Sequence, residues 1–123
     1  MNMQAYQQYK EQSVHTMTQS ELLLLVLDEL VKRLLRAELS LEQNNFELFD
    51  QSVNRSVEIV RYLKKTLNHQ YEVSGQLSRM YDFFLYELSR IQASRNGKLI
   101  QELKPLAEDL RGTFREAARQ VYN

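Results

Sequence analysis

A chain of 123 residues has room for one domain, and burying roughly 65–70% of its unfolded surface lets it form a core without metals or disulfides. Three glycines and one proline are too few for many short strands and tight turns, sixteen acidic residues cancel sixteen basic ones, and cysteine is absent. These counts exclude a disulfide scaffold, thiolate metal sites and cysteine nucleophiles, and leave no net field to draw the chain to nucleic acid or an anionic membrane.

The first seventeen residues, Met1 to Met17, are polar and rich in glutamine, unlike a cleavable signal with an apolar centre. Ala5, Tyr6, Tyr9 and Val14 stand out in this stretch, with the two tyrosines spaced i, i+3. Such a tail can dock into an apolar groove and cover it. The alternative is a disordered leader. Residues 1–17 are therefore set apart as a tail covering a groove, and residues 18–123 as a helical bundle domain.

Thr18-Gln19-Ser20-Glu21 has the form of a capping box, in which the threonine oxygen accepts from the Glu21 amide and the glutamate reaches back. Met17 and Leu22 are placed for a hydrophobic staple across that start. Apolar residues then recur at Leu23, Leu27, Leu30, Val31, Leu34, Leu35 and Leu41, which predicts a helix over 19–42. Its run Leu22 to Leu27 is much too short to span a bilayer. Its charges are mixed: Lys32, Arg33 and Arg36 share the helix with Asp28, Glu29 and Glu38, which reads as a solvated face. A soluble, cytosolic protein is expected.

Asn44-Asn45 breaks the pattern. A second stripe runs through Phe46, Phe49, Val53, Val57, Val60, Leu63 and Leu67, ended by Asn68-His69-Gln70. A third helix is predicted from near Tyr71, with Val73, Leu77, Met80, Phe84, Leu88 and Ile91 inward and Tyr81 alongside. Asn96-Gly97 supplies the next break, with the glycine suited to a left-handed helix end. The last stripe is Leu99, Leu103, Leu106, Leu110, Phe114, Ala117 and Val121. Pro105 either moves that helix's start to about residue 104 or kinks it. Four amphipathic segments joined by short turns predict an all-α fold, an antiparallel up-down four-helix bundle with an N-terminal tail or short helix.

The parts needed for catalysis are missing. His15 and His69 fall in the tail and in a turn, without a partner histidine at i+4 or a Glu-x-x-His motif, and no glycine-rich phosphate loop exists. No catalytic residue, metal, cofactor or small-molecule substrate is expected. Phosphotransfer through an exposed histidine is an alternative, weakened because no lysine lies closer to His69 in sequence than Lys65. A generic helical adaptor is another.

Surplus apolar surface is the more informative feature. At about 100° per residue, Ile59 and Tyr62 lie roughly 100° and 160° from a core stripe centred on Val60. Phe83 and Tyr86 lie at the same offsets from Phe84. Each pair is spaced i, i+3 and forms a patch beside the core seam. On antiparallel neighbours equal displacements are mirror images, so the patches either converge on one outer groove or point to opposite sides. Taken together, the four side chains are read as a helix-binding groove, against the plainer reading that they widen the core.

Tyr6-Gln7-Gln8-Tyr9-Lys10, then Ser13-Val14 and Ser20-Glu21-Leu22, resemble the opening of the flagellin export chaperones known as the FliS family. So do Leu67-Asn68, Tyr71-Glu72-Val73-Ser74, Gln76-Leu77 and Met80-Tyr81-Asp82-Phe83. The chain departs from the family in having Gln19-Ser20 where proline often follows the helix-one serine or alanine, and Phe114 where a tryptophan is common. Helix start and apolar volume survive both changes. The resemblance implies a cytosolic four-helix bundle that binds the disordered C-terminal segment of flagellin, blocks premature polymerisation and helps present the subunit to the export gate. It also implies that the tyrosine-containing tail, here Tyr6 and Tyr9, sits over part of the binding surface. The flagellin-binding candidates are thus Tyr6, Tyr9, Ile59, Tyr62, Phe83 and Tyr86.

Overall fold

The computed structural model describes Gln4 and residues 18–122, and contains four helices with no strand among those residues. They are α1 (Gln19–Glu42), α2 (Phe46–Lys65), α3 (Ser74–Ser94) and α4 (Gly97–Tyr122). α1 packs on α2 and α4, and α3 packs on the same two, so the helices form a ring in chain order. The antiparallel up-down bundle expected from the four stripes is what forms. The α1–α2 seam is the most extensive and the α3–α4 seam the thinnest.

Local chemistry explains most of the boundaries. Thr18 Oγ1 accepts from the Glu21 amide at 3.1 Å and starts α1 where the capping motif puts it. At the other end Asn44 takes φ 58°, its amide bonds to the Leu41 carbonyl, and the Asn45 amide reaches back to Ser40 at 2.8 Å. That six-to-one closure with a left-handed asparagine ends the helix. Asn45 Oδ1 then accepts from Leu48 and starts α2.

Three expectations need correction. α3 begins at Ser74, not near Tyr71, because Asn68 organises the preceding residues as turns: its side chain accepts from Gln70 and its carbonyl from Tyr71. The left-handed residue after α3 is Arg95, at φ 51°, and not Gly97. Asn96 Oδ1 caps α4 by accepting from Lys98, and the left-handed position falls two residues earlier than expected. Arg95 is held there by stacking 4.2 Å over Phe46 and by Asp50 at 3.8 Å. Finally, α4 runs unbroken through Pro105. The hydrogen bond lost is the one to the Gln101 carbonyl, and both residues are solvent-exposed, so water can take that place.

The core is built from Leu27, Leu30, Leu34, Phe49, Val60, Tyr81, Phe84, Leu88, Ile91, Ile100, Leu103 and their neighbours. It is rotated slightly from the predicted stripes. Tyr81 is sealed inside where Met80 was expected, and Ile100 and Ala107 replace Leu99 and Leu106 as the most buried positions of α4. Leu35, Phe46, Met80, Val73 and Leu106 are exposed instead, as is Ala117.

Candidate functional site

Polar ties between helices fall on two alternate sides of the ring. α1 is laced to α4 by Glu38–Lys104 and by Asp28 with Arg111 and Arg115. α2 is laced to α3 by Lys64–Asp82, by Asn54 with Gln92, and by Asp50–Arg95. No ion pair among the described residues joins α1 to α2 or α3 to α4. The α1–α2 side has an open apolar groove, and the α3–α4 side a shallower recess of mixed lining.

On the α1–α2 side, Leu22, Leu25 and Val26 face Ile59 and Tyr62 across a groove of about 340 Å3. Its rim charges are satisfied within their own helices, Glu29 by Arg33 and Glu58 by Arg55. A docking segment meets carbon surface there without having to neutralise a lone charge. The groove continues past Leu22 and Tyr62 into a recess with Leu23, Thr66, Asn68 and Tyr71. That recess opens in turn on an end pocket walled by Leu63, Leu67, Val73, Leu77, Tyr81 and Phe114. The three spaces share lining residues and follow one another as a furrow of apolar groove, more polar recess and apolar pocket, from the α1–α2 flank to the end of the bundle where α1 starts. Tyr62, Tyr71 and Val73 stand along it at 40%, 66% and 51% exposure.

Across the bundle, Phe83 lines a shallow recess with Glu87, Arg90, Glu102, Leu103 and Leu106 between α3 and α4. Its ring sits 6.4 Å from that of the buried Phe84. Tyr86, more than half exposed, lies under the Arg90 guanidinium at 5.8 Å, while Arg90 also pairs with the nearly buried Glu87.

The four off-stripe side chains are therefore not brought together. Ile59 and Tyr62 turn towards α1, and Phe83 turns towards α4. The mirror-image displacement carries both patches away from the shared α2–α3 seam, which is occupied by polar pairs. A single convergent groove on α2 and α3 is thus replaced by furrows on opposite sides. Ile59 is also corrected as an exposed residue: at 4% exposure it forms the groove's floor, not its rim. The large α1–α2 seam, with small buried side chains at Ala37, Ser40, Ser52 and Ser56, covers that flank of α2. Tyr6 and Tyr9 lie outside the described residues, as does His15. His69 is exposed in the α2–α3 loop.

Sequence reasoning missed Leu22, Leu25 and Val26 as groove residues, although a signal existed. A six-residue apolar run offers more apolar sides than one core can use. Tyr71 and Val73 were assigned to a helical stripe because their turn was not foreseen. Among the described residues no cluster of three or more metal-ligating side chains occurs, and no helix is long and apolar enough to cross a membrane.

The family model described as flagellar protein FliS matches residues 2–121. The flagellar secretion chaperone FliS of Bacillus subtilis (strain 168) is 25% identical over 112 residues, which covers 91% of this chain and 84% of that protein. The family model covers nearly the whole chain, and the chain belongs to the FliS family.

Proposed function

We propose that this protein is a cytosolic export chaperone of flagellar secretion that holds the C-terminal segment of flagellin along its apolar furrow, prevents premature polymerisation and hands the subunit to the export gate. The observation that carries this reading is the run of three adjoining spaces, an apolar groove and an uncharged apolar end pocket joined by a more polar recess, beginning on a flank of the bundle that no ion pair crosses among the described residues. A client that orders on binding loses about 2–5 kcal/mol in doing so. Burying roughly 100–200 Å2 of apolar surface offsets that loss at about 25 cal/mol per Å2. Further burial supplies the association energy, so the function needs neither a nucleotide nor a metal. Tyr62 is the central contact, Ile59 the floor beneath it, and Phe83 and Tyr86 a second contact for a segment long enough to pass round the bundle.

Titration with a peptide of the last ~40 residues of the same organism's flagellin tests this, the scale being that of a folding-on-binding segment. One-to-one binding with a gain in far-UV helicity is expected. No binding at tens of micromolar ends the proposal.

The tail enters the same scheme. Residues 1–17 join the bundle at Thr18, directly before Gln19 and Ser20, which wall the recess. Tyr6 and Tyr9 cover the furrow until the client displaces them. If the covered form predominates nine to one, the apparent affinity is lowered about tenfold. The double substitution Tyr6→Ala, Tyr9→Ala is accordingly expected to bind the peptide about tenfold more tightly. Equal or weaker binding removes the tail as a cover.

A further inference from the structure

The end pocket is the most apolar part of the furrow. Its walls carry no charged side chain, and its volume of about 220 Å3 suits a single group. A cavity of roughly 150 Å3 admits benzene, so this one takes a leucine-sized side chain with a peptide unit beside it. Thr66 Oγ1 already donates to the Tyr62 carbonyl, and Asn68 Oδ1 already accepts from Gln70. Tyr81 is different. Its residue is 1% exposed, yet its hydroxyl makes no hydrogen bond among the described residues. Buried tyrosine hydroxyls usually find a partner. Ser52 Oγ is the one side-chain polar atom among the described residues that is fully sealed and unpartnered, so the Tyr81 hydroxyl is not fully sealed, and Tyr81 is one of the residues that wall the pocket.

We infer that the end pocket is a socket for one apolar side chain of the docked client, with the Tyr81 hydroxyl donating a hydrogen bond to a neighbouring main-chain carbonyl of that client. This deepens the reading of the furrow as a client-binding surface and rests on it. A carboxylate would enter an uncharged, carbon-lined space at high cost, whereas a neutral carbonyl enters readily once paired. Free main-chain carbonyls occur at the last turn of a helix, so the socket holds a helix end of the client. Burial also keeps the phenol protonated, with its pKa pushed up to about 12 by desolvation, so it remains a donor at all physiological pH.

The test is an NMR titration of the full chain with N-acetyl-leucine N-methylamide, for wild type and Tyr81→Phe. Shifts centred on Leu63, Leu77 and Tyr81 are expected, with binding about tenfold weaker in the variant, the scale of one hydrogen bond. Thermal stability at neutral pH is expected to be unchanged, since the hydroxyl has no intramolecular partner to lose. Equal affinities, or no shifts at these residues, would overturn the inference. The Tyr6→Ala, Tyr9→Ala variant, whose furrow is uncovered, is expected to bind the probe about tenfold more tightly at the same residues, and an absence of shifts there in that variant would also overturn the inference. The flagellin peptide is judged separately: its failure with probe binding intact removes the client and leaves the socket, and the converse removes the socket alone.

Discussion

Tyr62→Glu is expected to weaken binding of the flagellin peptide by about a hundredfold or more, with the melting temperature within a few degrees of wild type. Tyr62 borders both the α1–α2 groove and the recess beside Tyr71, so a segment following the furrow must pass over it. In the free protein its side chain is 40% exposed, and a glutamate there stays hydrated. Under a docked apolar helix the carboxylate loses that water, and Arg55, which lines the groove, is already engaged by Glu58. Losing a tyrosine contact and burying an unpaired charge each cost on the order of 1–3 kcal/mol or more, and a hundredfold corresponds to about 2.7 kcal/mol. Calorimetric titration alongside thermal melts decides it. A folded variant with wild-type affinity would place the client elsewhere. Tyr86→Glu is the companion measurement. It is also tolerated by the fold, because Tyr86 is 61% exposed and a glutamate there stays hydrated. A smaller loss, about five- to tenfold, is expected from this second contact. Unchanged affinity there would confine the client to the α1–α2 side.

The second large effect concerns alkaline stability. Desolvation raises the Tyr81 phenol from 10.0 to about 12 in the folded protein. The folded state thus binds its proton more tightly than the unfolded chain does. That contribution is fully present below pH 10 and is lost as the pH rises from 10 through 12. Two pKa units amount to roughly 3 kcal/mol, a large part of the 5–15 kcal/mol typical of a domain. Urea titrations at stepped pH are expected to show this loss in wild type, with the last tyrosine ionising as helicity disappears. Tyr81→Phe has no phenol at that position and is expected to lack this part of the decline. Lysines and other groups titrating in the window act equally in both proteins. Superimposable stability curves for the two would show that burial does not hold this proton.

These expectations differ in how far a reader of the residues alone could reach them. The limits of α1 follow from Thr18 and the left-handed Asn44, because caps act within a turn of the residues that form them. The antiparallel bundle follows from four apolar stripes and short connections, since each stripe needs a partner and short turns leave only the neighbour. An apolar surplus was also legible, as was the family through the order of its short motifs. What was not legible is where the surplus points. The rotation of each helix about its axis is fixed by all its seams at once: Ala37 and Ser40 beside Ser52 and Ser56 on one flank of α2, Lys64–Asp82 and Asn54–Gln92 on the other. A turn of some tens of degrees decides whether Ile59 is floor or rim, whether Tyr81 or Met80 is inside, and whether Tyr62 and Phe83 share a groove. Periodicity determines that a helix has a greasy face. Only the packing of all four helices selects which greasy residues remain for a guest, because that choice is made by contacts between residues far apart in the chain.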